Sequence, residues 1–181
     1  DQLIRSKAVE RMEYWKNYRE PMPAVTIQEE PSYGGTPITK LRPSYKTLSV
    51  SQVQSMSNVY ISKKRDSGFL GHSTISHNYE KRSINGDGVV IDHATGLMWY
   101  QSGSEEEMSF GRAKWWAGHS SKGYAGYHDW RLPTLEEAAS LLQFDKNDSD
   151  LYIDPVFSDK QGYIWTGDRH PSEAAWSVYF D

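Results

Sequence analysis

Residues 124–142 read YAGYHDWRLPTLEEAASLL, and three structural decisions follow one another along them. Gly123 and Gly126 mark a turn, where backbone with positive φ costs little. Asp129, Trp130, Arg131 and Leu132 then set an acid, a large ring, a fork of donors and an aliphatic side by side. Pro133 stops any strand. Thr134 followed by Glu137 has the capping-box spacing ahead of an apolar run. The helix from Leu135 carries Ala138, Ala139, Leu141 and Leu142 as an apolar stripe at helical spacing. The stretch reads as turn, tryptophan-bearing elbow and capped helix. Trp130 is expected to pin that helix against a sheet. Asp129 and Arg131 are expected to fix the turn, Arg131 pairing with Asp129 or a backbone carbonyl.

Immediately upstream, Asn85-Gly86-Asp87-Gly88 and Asp92-His93-Ala94-Thr95-Gly96 are turn signals around the run Val89-Val90-Ile91. With Leu97-Met98-Trp99-Tyr100 this predicts a hairpin. After the acidic run Glu105–Glu107 a helix is expected over about Ser109–His119, with Phe110, Ala113, Trp116 and Ala117 on one side. Downstream, Asp145–Asp150 is a polar loop and Ile153-Asp154-Pro155-Val156-Phe157 anchors the chain again. Tyr163-Ile164-Trp165-Thr166 and Ala175–Phe180 read as strands, the second with Trp176, Val178 and Phe180 alternating. Trp99, Trp130, Trp165 and Trp176 are expected to be structural.

The first half has a different texture. Residues 1–20 read as an amphipathic helix with Ile4, Ala8, Met12 and Trp15 on one face, ended by Pro21 and Pro23. Such a helix needs a partner surface. It either docks on the following domain or continues an upstream helix, so an oligomer through residues 1–20 is an open expectation. Residues 21–57 read as a Pro-rich connector containing one short helix within Thr47–Met56, which Ser49 could cap, with Val50, Val53 and Met56 facing inward. The domain proper is placed at 58–181. Residues 57–83 read as a basic, His-bearing loop region, where Lys63, Lys64 and Arg65 form a solvated face or a patch for an acidic partner or a sulfated polysaccharide.

Totals narrow the function. At 181 residues the chain is one domain with appendages. Hydrophobic residues make up 37% and aromatics 13%, and mean hydropathy is -0.74. The core therefore leans on rings, and that many amphipathic rings also suits a recognition surface. A net charge of -4 without a sustained basic run argues against nucleic acid as the main partner. No apolar stretch approaches the roughly 20 residues that span a bilayer. The opening Asp1-Gln2-Leu3-Ile4-Arg5 has neither a starting Met nor a signal-peptide core, the expectation for an excised or processed piece whose targeting information lies elsewhere. The compartment stays open.

The series NGDGVVIDHATGLMWYQ, GYHDWRLPTLEEAASLL, YIDPVFS, YIWTGDR and AWSVYFD resembles the Lcl C-terminal domain family, also called DUF1566, over about residues 84–181. LRPSYKTLSVSQVQSM is similar to a lead-in found ahead of such domains. The resemblance implies an α+β, C-type-lectin-like fold: two helices on a small twisted antiparallel sheet, rich in loops, here preceded by the N-terminal helix and connector. It implies a bacterial protein, often extracellular or joined to other domains. Members usually continue past AWSVYFD to a final strand, so here that strand is either missing or replaced by another segment.

Catalysis finds no motif. Cysteine is absent, which removes thiolate chemistry and the copper site of the sulfatase-modifying oxidases, whose fold is related. Ser73, His72 and Asp87 do not sit in a nucleophile-elbow pattern, and Glu105–Glu107 reads as a solvated loop. No cofactor is expected. Asp145–Val156 begins like a calcium loop but has Asp150 where Gly belongs and Val156 where a bidentate Glu is needed, leaving at most a structural calcium held by loop carboxylates. The expectation is a non-catalytic recognition module binding a protein partner or other domains of the same protein. The alternatives are a carbohydrate or sulfated-glycan adhesin domain and a variable binding protein of a diversity-generating retroelement. Candidate ligand-binding residues are Tyr100, Trp115, Tyr124, Tyr127, His128, Arg169 and His170.

Overall fold

The computed structural model describes residues 4–5, 38–119, 123–172 and 175–181, the first pair by backbone pairing alone. The run Val89–Ile91 and its partner Leu97–Trp99 are apolar at consecutive positions because both faces of their sheet are covered. Strand β5 (Asp87–Asp92) pairs antiparallel with β6 (Leu97–Tyr100), with Val90 opposite Trp99 and Ile91 opposite Met98. β4 (Tyr79–Ile84) lies on the far side of β5, and β1 (Ile4–Arg5) on the far side of β6, giving the order β1-β6-β5-β4. Two small hairpins flank this sheet. One is β2 (Val59–Arg65) with β3 (Gly68–Ser73), and the other is β7 (Tyr163–Trp165) with β8 (Ser177–Tyr179). The α+β class with small antiparallel sheets is the one read from the sequence.

Side-chain parity divides the interior in two. Val89, Ile91 and Met98 face Ala113 and Ala117 of helix α2 (Phe110–His119), together with Trp130 and Leu132. Val90, Leu97 and Trp99 face the opposite way, onto Leu135, Ala138 and Ala139 of helix α3 (Leu135–Ala139), and onto Leu141, Ile164, Trp176 and Phe180. Val90 and Trp99 are 0% exposed; a fully buried aliphatic contributes about 1.5–3 kcal/mol. Trp130 thus belongs to the α2 side, not to the α3 side where it was expected to act. The elbow is where the chain crosses from one core to the other.

Thr134 caps α3 as its spacing predicts. Its hydroxyl accepts from the Glu137 N–H, and the Glu137 carboxylate accepts from the Thr134 N–H. Ser49 caps the short helix α1 (Val50–Val53) in the same way with Gln52. At the turn before the elbow, Gly123 and Gly126 have φ of 86° and 76°.

Three expectations change. Residues 57–83 contain β2, β3 and the start of β4, and are not a loop region. A hairpin largely exposed on both faces, as β2 is, needs no apolar alternation, so its basic residues hid it. Ile4 and Arg5 form a strand rather than the beginning of a helix; the rest of the expected helix lies outside the described residues. The part of the connector from Ile38 onward is built into the domain. The Leu48 N–H donates to Arg169 O at 3.0 Å and the Arg169 N–H to Lys46 O at 2.8 Å. Val53 is 1% exposed in the α3-side core.

Candidate functional site

The charged residues of the elbow hold the fold. Arg131 grips Glu137 with both Nη atoms, at 2.8 and 2.6 Å, and donates to Leu132 O at 3.0 Å. Glu137, and not the neighbouring Asp129, is therefore the carboxylate Arg131 holds in this bidentate pair, because the first turn of α3 brings position 137 back over the elbow. Burial disfavours the Arg131 cation, but the Glu137 carboxylate overrides this and raises its pKa. Asp129 is half-buried. Asp168, fully buried, accepts from both Arg42 Nη atoms, from the Lys46 N–H and from the Leu135 N–H. The Tyr45 hydroxyl donates to Leu132 O at 2.7 Å. Asp92, also fully buried, accepts from the Thr95 hydroxyl and from the Asn78 and Ala94 N–H groups, and lies 2.7 Å from Nδ1 of His77. Burial pushes the Asp92 carboxyl up, but the contacts from His77 and Thr95 outweigh it and leave the pKa lowered. All three carboxylates are filled with donors from the chain itself, an arrangement that positions elements of the fold.

The aromatic residues divide differently. Tyr100 and Tyr124 stack at 3.7 Å, and the Tyr124 hydroxyl donates to Gly88 O. Both, with half-buried Tyr127, pack against the α2-side core. The Trp130 Nε1–H donates to Tyr124 O, the Trp165 Nε1–H to Met108 O and the Trp176 Nε1–H to Leu48 O. Trp99, Trp130 and Trp176 are buried, while Trp165 is half-buried. Trp115 is 58% exposed and stacks on His119 at 5.0 Å, and His128 is exposed. The exposed Arg169 guanidinium lies 5.4 Å from the Phe110 ring centroid and, with Lys114 and Trp130, lines a small pocket of 180 Å³.

A larger concavity lies elsewhere. A cleft of 620 Å³ opens between the β2–β3 hairpin and β8, floored by Trp176 and Leu135. One wall is a ladder of rings: Tyr60 against His72 at 5.1 Å, and His72 against Phe144 at 5.0 Å. The other carries Tyr152 and Tyr179, the latter 60% exposed. Five of the eight large hydrophobic residues found exposed among the described residues line this cleft: Tyr60, Leu70, Phe144, Tyr152 and Tyr179. Arg65 and His170 reach it as well. Of the seven ligand-binding candidates only His170 lines the cleft; of the basic patch, only Arg65 does. Lys63, Lys64 and Arg65 are exposed on β2. Phe144, which directly precedes the polar loop from Asp145, is 70% exposed.

Among the described residues no group of three or more His, Asp or Glu is placed to hold a metal ion, and no helix is long and apolar enough to cross a membrane. The model of the Lcl C-terminal domain family matches residues 88–181. No curated protein and no solved structure matches the chain.

Proposed function

We propose, since the chain belongs to the Lcl C-terminal domain family, that it is a non-catalytic recognition module and that the cleft between the β2–β3 hairpin and β8 grips a protein partner. The observation that carries this is the convergence of five exposed hydrophobic side chains on one concavity. Single exposed hydrophobics are ordinary on a protein surface, but a contiguous group around a cleft marks an interaction site. Tyr and Phe supply large contact area at little conformational cost, as hot-spot residues do. The saturated carboxylates at the elbow support a non-catalytic role, because a general acid or base needs a free oxygen facing its substrate. The C-type-lectin-like architecture that the family resemblance implies, with recognition displayed on loops around a rigid core, belongs to the same reading.

A glycan-binding reading has one observation in its favour, the exposed Arg169 beside Phe110 and Lys114 in the small pocket. Rings stack on sugar faces and guanidinium forks grip sulfate or carboxylate. One experiment separates the two readings. A phage-displayed peptide library and a glycan array are probed with the wild type and with a Tyr60→Ser/Phe144→Ser/Tyr179→Ser variant. The protein reading expects enriched peptides for the wild type, their loss in the triple variant and a blank array. Array signal that survives in the triple variant and falls on Arg169→Ala would move the function to the glycan reading.

A further inference from the structure

Two strands border the cleft with consecutive residues, as an edge does, and β2 adds the alternate residues Tyr60 and Ser62 from one face of its hairpin. A sheet face offers alternate residues, whereas an edge offers consecutive ones. β3 lines the cleft with Gly68 through His72 without a gap, and the β8 side with Ala175 through Tyr179. The hydrogen-bond registers agree. The Phe180 N–H donates to Gly162 O and the Thr166 N–H to Trp176 O, so Trp176, Val178 and the Phe180 N–H turn toward β7, while the Phe180 C=O accepts from the Tyr152 N–H. By the alternation of an antiparallel ladder, the N–H and C=O of Ser177 and Tyr179 point away from β7, along the side that borders the cleft. On β3, the Thr74 N–H donates back to Asn58 O while the Ser73 N–H turns outward to Leu142 O. The same alternation sends the main-chain groups of Gly71 outward, as far as the register shift opposite Ile61 and Lys63.

We infer that the cleft takes an extended polypeptide segment of a partner protein, which adds as a strand to the free edge of β8 with β3 as the facing wall. The inference rests on the protein-recognition reading above and specifies its mode. Exposed strand edges are templates for another chain, and main-chain hydrogen bonds then give affinity while pockets select alternate side chains. The rings of Tyr60, Phe144 and Tyr179 are placed to receive those side chains. Charge fixes the polarity of the occupant. Arg65, beside Lys64, stands without an ion-pair partner among the described residues at the end where β3 begins, and Gly68 lies there against Trp176. Asp181 stands at the opposite end, beyond Tyr179. The segment therefore carries an acidic residue toward Arg65 and apolar residues at alternate positions between.

The test uses a phage-displayed library of random short peptides selected against the whole chain, followed by synthetic copies of the enriched sequences. Enriched peptides should show apolar alternation with Asp or Glu at one end. N-methylation of alternate peptide nitrogens should weaken binding about tenfold or more, and methylation of the intervening ones hardly at all. Amide exchange of Ser177 and Tyr179 should slow in the complex. Ser177→Pro, which removes an outward N–H where an edge tolerates proline, should weaken binding similarly. If that variant misfolds, the methylation series carries the same test with the protein unaltered. Peptides that bind through the ring wall with no alternation in the methylation series would overturn the strand mode and leave protein recognition standing. Failure to enrich any peptide over a blank surface, with glycans bound instead, would overturn both. Protected Ser177 and Tyr179 amides in the protein without peptide would overturn the assignment to a partner, the edge then being covered from within the same polypeptide.

Discussion

Glu137 is 1% exposed, and every strong donor near it comes from the elbow: two Arg131 Nη atoms and the Thr134 N–H. Removing one member of a buried ion pair strands the other, so Glu137→Ala should cost about 3–5 kcal/mol, read as a lowered urea midpoint at unchanged slope. A loss near that of an ordinary surface substitution would show that Arg131 finds another partner. Asp92 gives a prediction in pH. Its folded pKa lies below the ordinary carboxylate value of about 3.9. Its contribution to stability is thus complete above that value and is lost as pH falls through the lower, folded pKa. Urea midpoints measured from neutral pH downward should hold until about pH 4 and then fall, and Asp92→Asn should flatten that fall. The capping box of Thr134 and Glu137 was legible in four letters of sequence, because capping is a local interaction. Of the partners of Arg131, a backbone carbonyl was expected and Leu132 O is one, but the Glu137 carboxylate was not. Adjacency in sequence favoured Asp129, and only the helical turn brings Glu137 over the guanidinium.

At the scale of elements, the same distinction decides what could be read ahead of the structure. The β5–β6 hairpin and helix α2 announce themselves through turn residues and apolar period. The β2–β3 hairpin does not, since a ribbon wet on most of its surface carries Ser62-Lys63-Lys64-Arg65 as comfortably as any loop would. The strap from Ile38 to Val53 also differs from the connector that Pro21, Pro23, Pro31, Pro37 and Pro43 suggest. Its attachments are long-range, from Arg42 to Asp168 at 3.0 and 2.6 Å, from the Thr134 hydroxyl to Arg42 O, and from the Trp176 indole to Leu48 O. Tyr45 lies so close over Gly167 that a side chain there would collide with the ring. A chain beginning at residue 58 would leave Asp168 buried without its arginine and open the α3-side core at Val53 and Leu48. It should lose its cooperative thermal transition, whereas a chain beginning at Ile38 should keep one. Equal cooperativity in both, followed by tryptophan fluorescence, would mean that the strap is an ornament on a self-sufficient fold.

Across the whole molecule, interior and candidate surface draw on different aromatic residues. Trp99, Trp130 and Trp176 sit inside and were readable from strand period or motif position. Tyr60, Phe144, Tyr152 and Tyr179 come from separate parts of the chain and meet only because two hairpins and the segment after α3 converge. No local pattern could have grouped them. This separation makes a recognition role testable without knowing the partner. Rings 57%, 70% and 60% exposed at Tyr60, Phe144 and Tyr179 contribute little to the fold, since surface substitutions away from special features usually change stability by about 0.5 kcal/mol or less. The triple serine variant should therefore unfold within about 1.5 kcal/mol of the wild type in urea. Its ability to bind the selected peptides should meanwhile be lost. A loss of several kcal/mol would identify the rings as an outlying part of the core, and the cleft would then be a packing feature and not a site. Retained stability with lost binding is the combination that only a functional surface produces.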